Sequence, residues 1–267
     1  MKPSHVKVMG ERASGTNFLT RLISANFDQA LLKNTSTTTD AQKAGIQRIP
    51  DGARRPRLAS ERMADFNHLA EMPDTAGWKH ACLTDRVFSV CRHADTALFI
   101  CITRHPALWL RSFYANPMHS MNGDARDLDA FLNTPWVTRA RDETADPILP
   151  GPGALWAAKV RSYLDQAERR ENVIVLRHED LLTDHAGTLA GLREILGGIR
   201  LRWRIPRGYA RSWERAEKPD VDFWSIRRDL PERPYETLTP EQTGQLCAQI
   251  GTELLHRAGY PPDTPSG

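Results

Sequence analysis

Two hydrophobic periods alternate along this chain. His5–Met9 is a short valine-rich run stopped by Gly10, and beyond it Phe18, Leu19, Leu22 and Ile23 recur at the spacing of one helix face. The pattern predicts a strand, a glycine-bounded loop and a helix. A polar stretch rich in threonine and arginine follows from Asn34 to Arg62 and reads as an insertion at the domain edge. Trp78–Leu83 reads as a second strand. Ala97–Thr103 (ALFICIT) is apolar until its last residue, as expected of a strand covered on both faces. Arg104-His105-Pro106 ends that run. Pro106 suits the first turn of a helix carrying Leu108, Leu110, Ser112 and Phe113, because proline lacks the N–H that a first turn leaves unbonded.

Pro147–Gly153 (PILPGPG) is a rigid connection into an amphipathic helix from Ala154 to Arg170, and Asn172–Leu176 (NVIVL) is a further buried-type strand. Helices around Thr183–Leu196 and Pro240–Ala258 flank a loop-rich stretch holding Trp203, Trp213 and Trp224. Strands alternating with helices predict an α/β fold, a doubly wound parallel sheet with helices on both faces. The expected organisation is one domain with insertions at about 34–74 and 116–152.

Composition narrows the function more than the fold. With 40% hydrophobic and 26% charged residues in 267, the chain is an ordinary globular one, long enough for a sizeable core. A net charge of +3 argues against a nucleic-acid partner. Only seven of the 36 basic residues are lysine, a skew toward the planar, forked cation that matches phosphate and sulfate oxygens. Cys82, Cys91, Cys101 and Cys247 show no metal-ligand spacing. No apolar run reaches about 18 residues and none precedes Gly10, so the expectation is a cytoplasmic protein without membrane contact.

The candidate chemistry sits at Gly10-Glu11-Arg12-Ala13-Ser14-Gly15-Thr16, a GxxxxG frame between a strand and a helix. Its main-chain amides, the positive end of the helix and the hydroxyls of Ser14 and Thr16 would together hold an anion. Where a nucleotide triphosphatase has Gly-Lys-[Ser/Thr], this chain has Gly15-Thr16-Asn17, without the lysine that grips the β- and γ-phosphates.

The loop resembles that of sulfotransferases that use 3′-phosphoadenosine-5′-phosphosulfate (PAPS), whose bacterial members read close to GERxSGTN(F/Y)L. The resemblance implies a P-loop-NTPase-like fold in which Arg12, Ala13, Ser14, Gly15, Thr16 and Asn17 bind the 5′-phosphosulfate and Phe18 stacks on the adenine. Arg104 and Ser112, eight positions apart, match the family's arginine and serine on the 3′-phosphate. His178, in Arg177-His178-Glu179-Asp180-Leu181, stands where the family has a tyrosine against the adenine, a departure that puts this contact in doubt.

Lys79-His80 resembles the family's catalytic strand end. His80 would be the general base and Lys79 the contact to the bridging oxygen. Adjacent strand residues face opposite sides, which leaves open whether both enter the site. The basic residue usual before Ser14 is replaced by Ala13, with Arg12 one place earlier. The glycine-rich basic loop that closes over the 3′-phosphate is missing, and Lys218, Arg227 and Arg228 take its place.

The implied activity is in-line transfer of a sulfuryl group, without a metal, to a hydroxyl or amine of a small-molecule or carbohydrate acceptor. Trp109, Tyr114, Trp136 and Trp156 are candidates to stack on that acceptor. Two readings compete with it: a metal-dependent P-loop kinase, and a nucleotide-binding module without catalysis.

Overall fold

A computed structural model describes residues 2–35, 39–48, 55–115, 125–197, 204–206 and 223–262. Trp203, Trp213 and Lys218 lie outside them. The strands are β1 (His5–Met9), β2 (Ala30–Leu31), β3 (Ala97–Thr103), β4 (Trp136–Val137), β5 (Ile148–Leu149) and β6 (Val173–Arg177). The helices are α1 (Thr16–Asn26), α2 (Asp40–Ile46), α3 (Arg55–Thr75), α4 (Asp85–Val90), α5 (Pro106–Tyr114), α6 (Leu128–Asn133), α7 (Pro152–Arg169), α8 (His178–Thr183), α9 (His185–Leu196), α10 (Phe223–Arg228), α11 (Pro240–Ile250) and α12 (Thr252–Arg257).

Four strands pair in the order β2-β1-β3-β6, all parallel, and β4 and β5 form a separate antiparallel pair. Strand alternation splits the side chains between two layers. Val6, Val8, Leu98, Ile100 and Ile102 join α1, α8 and α9 in one core, while Met9, Phe99, Cys101 and Val173 pack with Val87 of α4 and Tyr163 of α7 in another. Every residue of β3 is buried, as its unbroken apolar run predicts. Helices therefore cover both faces, and the α/β doubly wound architecture is the observed one. A third core, built by α5, α6, α7, α11 and α12, centres on Trp109, Phe113 and Trp156.

Two elements differ from the sequence expectation. Trp78–Leu83 is not a strand but a turn, entered through left-handed Ala76 and Gly77 (φ 58° and 77°), and the true second strand is the two-residue β2. The main-chain groups of Lys79 are taken by the glycine loop and by Asn34 rather than by a ladder. The helix expected from Pro240 to Ala258 is two, broken at Gly251 (φ 89°), a backbone conformation that suits glycine. Among the described residues no helix is long and apolar enough to cross a membrane.

Candidate active site

The glycine loop leaves the carboxyl end of β1, where open parallel sheets bind ligands. Gly10 passes so close to β3 that a Cβ there would lie 2.6 Å from the Ile102 carbonyl oxygen. Ala13 and Gly15 are both left-handed (φ 64° and 90°) and curl the main chain into the start of α1. Carbonyls on the outside of the curl are held: the indole Nε1 of Trp109 donates to Arg12 O at 2.8 Å, and Arg104 Nη1 donates to Ala13 O at 2.9 Å. The amides are largely left open. Ser14 N–H closes a turn onto Glu11 O, but the N–H groups of Ala13, Gly15, Thr16 and Asn17 have no acceptor among the described residues, and α1 has no side-chain cap. The hydroxyls of Ser14 and Thr16, 2% and 5% exposed as residues, are likewise without a hydrogen-bond partner among those residues. Open donors at a helix start, with the helix dipole behind them, form an anion site.

The turn at 79–80 is zipped to this loop through Gly10. Gly10 N–H donates to Lys79 O at 2.9 Å, and His80 Nδ1 lies 2.6 Å from Gly10 O. A carbonyl can only accept, so Nδ1 carries the proton and Nε2 of the neutral ring keeps its lone pair. Burial, then the neighbouring Lys79, with Arg12 and Lys159 adding to them, push the His80 pKa well below its ordinary value, against the bond to Gly10. Lys79 Nζ donates to Asn17 Oδ1 on the first turn of α1, and burial lowers its pKa. A turn has no alternating faces, so both side chains reach the loop, from two sides.

Behind the loop lies a buried charge cluster that sequence reasoning missed. Lys159 Nζ donates to Asp142 Oδ1 at 2.7 Å, to Asp142 O and to His80 O, and stands 3.7 Å from Glu11. Arg12 does not face outward. Its guanidinium is 2.8 Å from Glu11 and 3.8 Å from Asp142, beneath the rings of Trp78, Phe113 and Trp136. Burial favours the neutral acid at Asp142, yet Lys159 and Arg12 outweigh it and hold the carboxyl at about 2. The cluster holds the His80 carbonyl and the entering arm of the loop, Glu11 and Arg12, in place. A signal existed: Lys159 falls on the apolar face of α7 with Leu155, Trp156 and Tyr163. Asp142, at the end of a single 3-10 turn (Ala140–Asp142), gave none.

The remaining candidates divide. Arg104, at the end of β3, has no carboxylate partner, and its Nε is buried without an acceptor among the described residues. Trp156 Nε1 holds its carbonyl at 3.0 Å. Ser112 is half-buried on α5, and its hydroxyl is unbonded among the described residues. His178 is buried beside Glu179, and burial, with Arg104 adding to it, lowers its pKa against the opposing effect of Glu179. Phe18 departs from its expected role: it is 1% exposed, inside the core, and stacks on Phe223 at 5.3 Å. Arg227 and Arg228 are exposed on α10, Arg227 over Trp224 and Arg228 near Ser225 and Asp229. No described contact joins them to the loop. Trp109, Trp136 and Trp156 are buried core residues rather than an open stacking surface.

No family model and no curated protein matches this sequence. Among solved structures, the chain is similar to the sulfotransferase domain from the Synechococcus PCC 7002 olefin synthase, at 14% identity and a TM-score of 0.42, over 93% of this chain and 94% of that one. It is also similar to the sulfotransferase domain from the curacin biosynthetic pathway, at 12% identity and a TM-score of 0.40, over 94% of this chain and 98% of that one. At such distance, activity has to be argued from the site residues themselves.

Proposed function

We propose that this protein is a sulfotransferase that moves the sulfuryl group of PAPS to a hydroxyl or amine acceptor and releases 3′-phosphoadenosine-5′-phosphate. The observation that carries the reading is the set of open amides at Ala13, Gly15, Thr16 and Asn17, flanked by Lys79 and His80 on the turn and by Arg104 at the end of β3. These groups fit the donor's charged parts. The amides, with the Ser14 and Thr16 hydroxyls, suit the 5′-phosphosulfate, and the unsatisfied Nε of Arg104 suits the 3′-phosphate, with Ser112 farther along α5. Buried Phe18 does not fit as an adenine platform, so that contact is left to groups around His178.

PAPS supplies an activated sulfuryl group joined to a good leaving group. His80 Nε2 takes the acceptor's proton as sulfur bonds to the acceptor's oxygen or nitrogen and the S–O bond to the 5′-phosphate breaks. Lys79, beside the first turn of α1, stabilises the negative charge that grows on the departing oxygen. Lys159, Asp142, Glu11 and Arg12 hold the loop and the turn in register, which makes Arg12 a positioning residue rather than a ligand.

Thermal shift tests the reading. The desulfonated nucleotide at about 100 times its Kd should raise Tm by roughly 5 °C or more, whereas ATP with Mg²⁺ should do much less. The opposite ranking would favour the kinase reading. A shift with the bisphosphate but no consumption of labelled PAPS with any acceptor would favour the non-catalytic module.

A further inference from the structure

On the far side of β1 from Arg104 and His178 lies a cavity of about 360 Å³ whose chemistry the proposed donor site does not use. Strand order makes the separation. A nucleotide reaching from the loop to Arg104 and His178 runs over β1, β3 and β6, whereas this cavity opens toward β2 at the other edge. The two share only a border, Asn17 and Lys79.

Four basic side chains line the cavity: Lys7, Arg21, Lys33 and Lys79. No carboxylate lines it among the described residues. Elsewhere in the molecule buried cations are matched, Lys159 by Asp142, Arg12 by Glu11 and Arg141 by Glu61 and Asp65. Here they are not. Among the described residues Lys7, in the middle of β1, is held only by the carbonyls of Lys33, Thr75 and Gly77, and its pKa falls to about 7, chiefly through burial, with Lys79 adding repulsion. Arg21 lies one turn beyond Asn17 on α1, on the side away from core residues Phe18, Leu19 and Leu22. Arg21 and Lys33 are exposed and make no ion pair among the described residues. Like charges gathered in a concave wall focus a positive potential, which an anion relieves.

Resting on the sulfotransferase reading, we infer that the acceptor carries an anionic group, a carboxylate, phosphate or sulfate, which Arg21 and Lys33 bind in this cavity while its nucleophile meets His80. The volume is that of a small ligand pocket, enough for one charged sugar or a comparable fragment.

The test is a calorimetric titration of the full chain, with and without bound 3′,5′-bisphosphoadenosine, using 4-nitrophenyl β-glucuronide and its uncharged partner, 4-nitrophenyl β-glucoside. At low ionic strength the glucuronide should bind about tenfold tighter or better. The preference should shrink to about twofold in the Arg21→Gln, Lys33→Gln double variant, while bisphosphate affinity stays within about twofold of the parent, since neither side chain touches the nucleotide loop. Equal binding of the two sugars, no binding of either, or a preference that survives the double substitution overturns the inference. Labelled sulfuryl transfer is measured separately. A glucuronide preference without transfer to any acceptor would sink the transferase reading and leave the anion pocket standing.

Discussion

Two strand–loop–helix units stand side by side in this sheet, β1 into α1 and β3 into α5, and they treat their helix starts in opposite ways. At α5 the donors of His105 and Ala107 are taken. Pro106 has no N–H to offer, Ala107 N–H donates to His105 Nδ1 at 3.3 Å, and His105 N–H donates to Glu179 Oε1 at 3.0 Å. At α1 the cap is Gly15, which has no side chain, and the amides of Ala13, Gly15, Thr16 and Asn17 have no protein acceptor among the described residues. The same backbone motif is sealed in one unit and left as an anion site in the other. What decides is the cap residue, and in the proposed function the sealed unit contributes through the side chain of Arg104 instead.

The largest way to sharpen this contrast is His80→Ala, which should lower kcat by about 10²- to 10⁴-fold and leave bisphosphate affinity nearly unchanged, because in the proposed mechanism the ring acts on the acceptor's proton. Equal losses in kcat and in nucleotide affinity would move His80 from chemistry to donor binding.

Lys159→Met tests the support beneath the open unit. It strands Asp142 and Glu11 with Arg12 alone and should cost about 3–5 kcal/mol in denaturant unfolding. The same cluster sets an acid limit. Asp142 is held at about 2 against an ordinary 3.8, so its stabilisation is complete above pH 3.8 and fades as pH drops toward 2.

Arg104→Ala should weaken bisphosphate binding by about tenfold, some 1.4 kcal/mol, as one charge-assisted contact is lost. Unchanged affinity would mean that the second unit contributes nothing to the nucleotide. His105→Ala is the smallest perturbation. It should cost about 1 kcal/mol of stability through the lost cap and spare nucleotide binding.

A pH profile adds a finer check. His80 titrates below its ordinary 6.5, so kcat/KM should stay level through neutrality and fall only on the acid side of that value. A fall centred at 6.5 or above would mean that the ring is solvated in the working enzyme.

Sequence periodicity was sufficient for the strands and helices whose signals are local. The apolar ALFICIT run, Pro106 at a helix start and the valine strand before Gly10 all lie where the pattern puts them, because each depends on residues a few positions apart. Trp78–Leu83 reads as a strand only because its apolar residues are core residues of a turn. Phe18 reads as a ligand contact, yet the helix-face pattern that includes it with Leu19, Leu22 and Ile23 already marks it as core.

By itself, the sequence determined that an uncapped, glycine-rich loop joins a strand to a helix, and therefore that anion-binding amides are on offer. Tertiary structure alone decided what surrounds them: which way Arg12 points, that the 79–80 turn closes on Gly10, and that four basic side chains gather beside β2. The physical reason is separation along the chain. Gly10 meets His80 and Glu11 nears Lys159 through contacts whose partners lie some 70 and 150 positions apart, and ion pairing, unlike helical periodicity, leaves no local spacing to read.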